Sequence, residues 1–429
     1  MHRLYDLYLE YTAQTESPRN YHRWVFTSVL GTLIGRRCWV PFGPWKIYPN
    51  QYILLVGPPG VRKGSAISLG KKLLGEIDYE FFGPDRAAKE MLWYEMARMA
   101  GQIEGVNGHD NKGAPKDEDI FAMGLEDIVR DTVAEMYVCA DEFTAFTGSG
   151  NEEFIINLTN LWDNLKHFKN PKLTSQSVTV YNPTLNILSG TTPENMAEAL
   201  PKSAIGSGFT ARTLLIHSAR GKKIDWPPEP DKEIQHTILT QLLNVERQQG
   251  PIEADAAAKE LLSDIYHHPS TVVDRRFEHF HQRRQTHLLK QCLIAAVSRG
   301  DDKIRDKDVM LANTVLHLAE KDMPLALGHF GKSLNSGRAN AVLEAVYHSS
   351  APMDFRELWK VVAQDCAKET ELKEILRNLV AAEKIQVAST KLQGKQKRVY
   401  LPMRTKAAPA GSKHVLVDYS LVSEEERPH

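Results

Sequence analysis

Residues 52–65 read YILLVGPPGVRKGS: a short apolar run, a Gly/Pro loop, and then Lys63, Gly64 and Ser65. An apolar run that breaks into glycines and ends on a lysine predicts a strand, a loop and a helix arranged to cradle phosphates. Glycines let the backbone turn its N–H groups inward, the lysine reaches the phosphates, and a following hydroxyl holds Mg²⁺. Gly57 and Lys63 have the required spacing, with Pro58 and Gly60 inside the loop. The pattern G-x-x-x-x-G-K-[ST] is met with two departures. Arg62 stands where the second glycine is usual, and Gly64 stands where the magnesium hydroxyl is usual, which leaves Ser65 one residue late.

Working outward, residues 20–39 carry apolar residues at helical spacing, and PFGPWKIYPN after Val40 reads as a proline-punctuated connector. After Ser65, AISLGKKLLGEI fits a helix whose N-terminus faces the phosphates. Residues 77–82 suit a second strand and 85–99 a helix, and the charged, glycine-containing stretch 101–118 reads as a loop. Strands alternating with helices predict a parallel α/β sheet.

MYVCADE at 136–142 is an apolar strand that delivers two adjacent carboxylates at its end. Beside a phosphate loop, Asp141 is expected to hold Mg²⁺ and Glu142 to act as general base on water. LNILSGTTP at 185–193 is a third strand, ending in Ser189, Thr191 and Thr192. Such hydroxyls, Thr191 among them, are placed to contact a γ-phosphate or orient water, and Thr192 before Pro193-Glu194 is equally placed to cap a helix. Between these strands, residues 166–183 read as a β-hairpin with a Lys-Asn-Pro-Lys turn. In GSGFTARTLLIHS, 206–218, Arg212 precedes an apolar strand, where it suits either a finger onto a neighbouring subunit's phosphate or a local salt bridge.

The composition is that of an ordinary water-soluble globular chain, with 42% hydrophobic and 25% charged residues. At 429 residues it has room for two or three domains. A net charge of −1 excludes a general basic field, so nucleic-acid contact has to come from local patches. Cys38, Cys139, Cys292 and Cys366 share no C-x-x-C spacing, which points to a reducing, cytoplasmic setting rather than a disulfide framework or structural zinc. The start MHRLYDLYLEYT lacks the form of a secretory signal, and no run is long and apolar enough to predict a membrane span.

With these parts in this order, residues 20–325 resemble phage and prophage P-loop ATPases of the primase-helicase-like family. The matching landmarks are LIGRR, YPNQYILLVGPPGVRKGS, ADEF, NPTLNILSGTTPE and SGFTARTLLI. A more distant resemblance is to hexameric AAA+ helicases of the superfamily 3 and minichromosome-maintenance kind. The resemblance implies an AAA+-like parallel-sheet core, ATP and Mg²⁺ as cofactors, and a helical lid at 255–327 in which Arg283 or Arg284 bends back onto the nucleotide. Surface charge is the other reading of those two arginines. It also implies a hexamer whose central channel grips single-stranded DNA through Lys166, Lys169 and Lys172 on the hairpin, alongside other replication proteins.

From Leu334 to Lys413 the chain has 14 Lys+Arg and 8 Asp+Glu, a local charge of +6. Three helical patterns and a hairpin there outline a winged helix, with Lys391, Lys395, Lys397 and Arg398 on a wing suited to duplex DNA or to a protein. The expected organisation is a helical segment at 1–48, an ATPase core at 49–225, the lid at 226–332, the winged-helix-like domain at 333–405 and a flexible acidic tail at 406–429. The functions in view are an ATP-dependent DNA helicase or translocase of a phage or mobile element, an ATP-switched initiator or helicase loader, and a non-catalytic regulator.

Overall fold

The computed structural model describes residues 3–84, 86, 89–102, 131–163, 165–170, 178–201, 208–218, 221–269, 274–328, 339, 342–343, 345–346, 349, 352–363, 368–381, 384–392, 395–402 and 416–427. They form a mixed α/β protein of two compact units, 1–328 with 415–429, and 329–414.

In the first unit, helices Arg3–Tyr11 and Arg19–Ile34 lead into β1 (Cys38–Phe42), β2 (Trp45–Ile47) and β3 (Tyr52–Val56). The helix expected over 20–39 thus stops at Ile34, and the expected connector is a hairpin in which β1 and β2 pair antiparallel, Phe42 opposite Trp45. Gly43, at φ 59°, makes that reversal without the cost a side chain would carry. Then come helices Lys63–Gly75 and Lys89–Met99, β4 (Ala134–Ala140), a short helix Phe143–Thr147 and helix Glu152–Leu161. The inserted hairpin is β5 (His167–Asn170) and β6 (Val178–Tyr181), followed by β7 (Pro183–Thr191), helix Pro193–Ala199 and β8 (Thr213–His217).

Four of these strands form one parallel sheet in the order β4-β7-β3-β8. β3, β4 and β7 are buried along their whole length, as strands covered on both faces must be. The polar residues inside β7 are hydrogen-bonded: Asn186 accepts from the Gln51 N–H at 2.9 Å, and the Ser189 hydroxyl donates to the Ala140 carbonyl at 2.7 Å. The strand expected at 77–82 is reduced to a single parallel bridge, Phe82 to Tyr137. Asp78 adopts φ 56° and the Tyr79 N–H closes back on the Leu74 carbonyl, so this segment is occupied in ending a helix before it reaches the sheet.

Helix Arg19–Ile34 is buried on nearly every side. Gly70 lets the Lys63–Gly75 helix approach it so closely that a Cβ there would stand 2.5 Å from Val25 Cγ1. On another face Tyr8 stacks on Phe26 at 4.2 Å.

The remainder of this unit holds helix Lys232–Arg247, β9 (Gly250–Pro251), β10 (Glu253–Ala254), helices Ala256–His267 and Glu278–Ser298, β11 (Lys303–Ile304) and helix Asp306–Leu327. Asp231 and Asp255 cap two of these helices, each accepting backbone N–H bonds. The two long helical patterns and the short turn expected for the lid are present at these positions. β9 extends β1 in parallel, and β10 pairs with β11.

The expected flexible tail differs from the structure within residues 416–427. Leu416 and Asp418 bond to Asn313 and Thr314, and Val422 is buried. Glu426 makes a two-pronged, buried ion pair with Arg23 at 2.5 and 2.8 Å. The acidic run is held because one of its carboxylates has a buried arginine to neutralise, a match between residues 403 apart.

The second unit contains helical residues around Val342 and Val346, β12 (Met353–Asp354), helices Phe355–Val362 and Glu369–Ala381, β13 (Ile385–Leu392) and β14 (Lys395–Pro402). Its sheet order is β12-β14-β13, and Val342, Leu358, Leu372, Leu376 and Ile385 are among the residues of its own apolar core. Among the described residues no helix is long and apolar enough to cross a membrane.

Candidate functional site

The loop after β3 begins in a tight corner. A Cβ on Gly57 would stand 2.4 Å from the Ser218 carbonyl oxygen and 2.5 Å from the Tyr21 hydroxyl, which itself donates to the Val56 carbonyl at 2.7 Å. Only glycine fits there. Gly60 turns through φ 83°, and Arg62 adopts φ 63°, ψ 35°, the left-handed conformation that a glycine at the same place would take freely. An L-residue pays roughly 1–2 kcal/mol for it. Two contacts from the N-terminal segment brace Arg62: the Ser17 hydroxyl donates to its carbonyl at 2.8 Å, and Glu16 pairs with its guanidinium at 2.5 Å. Arg62 is therefore held, by these contacts, in a backbone conformation that glycine favours.

Lys63 opens the helix Lys63–Gly75 and folds back over the loop, its ammonium donating to the carbonyls of Gly57 at 2.7 Å and Pro58 at 3.1 Å. Partial burial lowers its pKa, against the pull of Glu142 and Glu194, which raises it. Its stem crosses Gly190 on β7, where a Cβ would lie 3.4 Å from Lys63 Cβ and 2.7 Å from the Asp141 carbonyl oxygen. Gly190 is a residue the sequence reading passes over. Its signal is there to be read, since a lone glycine in a strand marks a close approach of something else.

Gly64 is the most informative position of the loop. A Cβ built there points at the Asp141 carboxylate, 3.6 Å from Oδ1. Ser65 is exposed and lies about 100° further round the helix, on a different side. The place from which a loop hydroxyl would face Asp141 is thus occupied by a glycine. This geometry does not favour Ser65 as the hydroxyl that joins Asp141 in holding a metal.

Asp141 is exposed just beyond β4, and Glu142, half-exposed, accepts from the Thr144 hydroxyl at 3.3 Å. Phe143 and Phe146 are buried in the short helix that follows and anchor this acidic turn. β7 lies between the carboxylate strand and the loop strand. It puts Thr191 opposite Val56, with the Gly57 N–H donating to the Thr191 carbonyl at 3.3 Å. Thr191 is fully buried, and its hydroxyl donates to the Thr192 carbonyl at 3.3 Å. Thr192 is a helix cap, accepting from the Asn195 N–H at 3.1 Å. Gly57, Lys63, Gly64, Asp141, Glu142, Gly190 and Thr191 therefore meet at the C-terminal edge of the parallel sheet, the edge at which open α/β sheets bind ligands. Loop N–H groups, a helix N-terminus and a lysine suit a polyphosphate, and the adjacent carboxylates suit a divalent cation and a water.

Arg212, expected to face a neighbouring subunit or to make a local salt bridge, and Arg283 and Arg284, expected over this nucleotide or at the surface, all lie away from the loop. Arg212 precedes β8, whose Thr213 pairs with Tyr52 at the start of β3, so it sits at the opposite edge of the sheet. The five-residue strand β3 puts it about 17 Å from the loop. It is 7% exposed, ion-paired with Asp163 and bonded to the Gly208 carbonyl at 3.0 Å, which is the local salt-bridge reading. Arg283 shares the same Asp163 at 3.4 Å. Arg284 is buried between two helices, against Glu320 at 2.7 Å and Asn313 at 2.9 Å, rather than turned to the loop. Nearby, Lys290 is fully buried, donating to Asn50 at 2.6 and 2.8 Å, and burial drives its pKa well below the usual ammonium range. No periodicity marks Lys290 or Asp163 in the sequence, because their partners come from distant segments.

Lys166 and Lys169 are exposed on the β5–β6 hairpin, and Lys172 lies outside the described residues. Lys395, Lys397 and Arg398 lie on β14 of the second unit, Arg398 exposed. Compared with models of known protein families the chain matches none, and no curated protein matches it in sequence.

Proposed function

We propose that this chain is a P-loop, AAA+-like ATPase that works as a hexameric DNA helicase or translocase in the replication of a phage or mobile element. The observation that carries the reading is the convergence of Lys63, Asp141, Glu142 and Thr191 on one edge of a parallel sheet, with Gly190 cleared to let Lys63 lie across it. ATP would be held by the N–H groups of residues 60–64 and by Lys63, which exchanges the Gly57 and Pro58 carbonyls for phosphate oxygens. Bound Mg²⁺ would neutralise charge on those phosphates, with Asp141 as its protein ligand. Glu142 takes the proton of the attacking water, and Thr191 supports the loop from the middle strand. Helices 278–298 and 306–327 form the lid, and the second unit is a winged helix whose β14 carries Lys395, Lys397 and Arg398 toward duplex DNA.

One observation favours a second reading, an ATP-switched initiator or loader that binds DNA without unwinding it. Arg212 is held by Asp163 inside its own subunit, and a finger onto a neighbour's nucleotide requires that pair to open. The deciding experiment is ATP turnover with and without single-stranded DNA, for the wild type, Lys63→Ala and Glu142→Gln, together with a mass measurement in nucleotide. The ATPase reading expects turnover in the wild type, loss of nucleotide binding in Lys63→Ala, and binding without turnover in Glu142→Gln. Wild-type protein that neither binds nor hydrolyses ATP refutes it. Turnover without strand separation selects the loader.

A further inference from the structure

We infer that the β1–β2 hairpin is a binding site for single-stranded nucleic acid, with Phe42 and Trp45 stacking on unpaired bases. The inference goes beyond the nucleotide site and does not depend on it. Phe42 and Trp45 are directly opposite each other across the hairpin, so their rings share one face. They are 44% and 66% exposed, and Pro41, Gly43 and Pro44 beside them are exposed as well. Both are large aromatics at the tip of the hairpin and leave much of their surface open to solvent.

Charge indicates what covers them. No aspartate or glutamate occurs between Glu16 and Glu76, and the hairpin segment 36–48 carries Arg36, Lys46 and Arg37, the last paired with Glu135 at 3.6 Å. Lys46 is exposed and lies over the Trp39 ring at 4.0 Å. Arg36 ties this hairpin to the second one. Its guanidinium donates to the Leu165 carbonyl at 2.9 Å, the Pro183 carbonyl at 3.0 Å and the Thr184 hydroxyl at 2.7 Å, while stacking over Tyr48 at 5.0 Å. Leu165 and Pro183 flank β5 and β6, so both hairpins are rooted on Arg36. The second also lacks acidic residues from 165 to 183, and it exposes Lys166 and Lys169.

Exposed aromatics beside two segments that carry exposed lysines and no acidic residue of their own fit a flexible polyanion with accessible ring faces. Bases in a duplex are stacked on each other and offer none, whereas a single strand offers one face per nucleotide. Lys46, Lys166 and Lys169 would follow the phosphates and supply the salt-dependent part of the affinity.

The test is fluorescence anisotropy with labelled oligo-dT and with a duplex of equal length, without nucleotide, on the full chain. Phe42→Ala/Trp45→Ala is expected to weaken oligo-dT binding by roughly tenfold to a hundredfold, with duplex affinity changed by less than about twofold. Both side chains are exposed, so the melting temperature serves as the folding control. Lys46→Ala and Lys169→Ala should each reduce the slope of log K against log salt by about one. Unchanged oligo-dT affinity in the double variant overturns the inference. So does a double variant that keeps its affinity and loses an oligomer, which assigns the hairpin to contact with a second copy. Lys63→Ala should retain hairpin-dependent binding, so failure of the ATPase reading and failure of this one are separately visible.

Discussion

Replacing Gly190 by alanine probes the point where fold and site are one object. The added Cβ would stand 2.7 Å from the Asp141 carbonyl oxygen, and 3.4 and 3.7 Å from Lys63 Cβ and Cδ. The lysine stem has room to yield, but the carbonyl belongs to the backbone at the end of a fully buried strand, so β4 or β7 has to move. Overpacking of this kind costs about 1–3 kcal/mol, and removing a glycine from the unfolded chain returns about 0.4–1 kcal/mol. A net loss of about 1–2 kcal/mol follows, which in a body of this size lowers the melting temperature by about 1–3 °C. The shift also displaces Asp141 relative to Lys63, and a misplacement approaching 1 Å at such a site is worth up to about a hundredfold. Thermal melts and fluorescent ATP-analogue titrations measure the two effects. Gly60→Ala is the control: its Cβ meets nothing within 4 Å, so it strains the loop at φ 83° without touching Lys63 or Asp141. A Gly190→Ala protein with unchanged melting temperature and analogue affinity would refute the argument that β7 was cleared for the lysine.

Two further outcomes follow from the same structure. Gly64→Ser places a hydroxyl beside Asp141, so it should lower the Mg²⁺ concentration needed for tight ATP-analogue binding by about tenfold, whereas Ser65→Ala should leave it unchanged; a loss of Mg²⁺ dependence in Ser65→Ala would restore Ser65 as the ligand. His22 and His287 are buried, and burial pushes both down to about 3 from an ordinary 6.5. Both are neutral in the folded protein and protonate readily only when unfolded. Their contribution is therefore intact above pH 6.5 and is lost as pH falls toward 3, each at up to about 1.4 kcal/mol per pH unit. Denaturant melts from pH 7.5 to 5 should show this, and His287→Gln should flatten the slope; an identical slope in the variant rejects the assignment.

The loop, the carboxylate pair and the hydroxyl strand are legible in the sequence because each is a local pattern: an apolar run, then a punctuating glycine, acid or hydroxyl. Their convergence is nearly legible too, since parallel strands place all their C-terminal ends on one edge. Hairpin β1–β2 is harder to read. Its prolines suggest a connector, and only the pairing of residues 40–42 with 45–47 makes it a sheet.

What the sequence determined by itself was the mixed α/β class and the identity of the residues at the loop edge, since spacing and burial of short segments are properties of the chain alone. Tertiary structure decided the partners. Arg212 and Arg284 carry the charge a nucleotide would want, yet Asp163 and Glu320, brought in from other segments, hold them. Glu426 lies in a run that reads as a solvated tail, and Arg23 draws it under cover. A buried charge needs an opposite charge within a few ångströms, and no linear pattern says which distant residue supplies it.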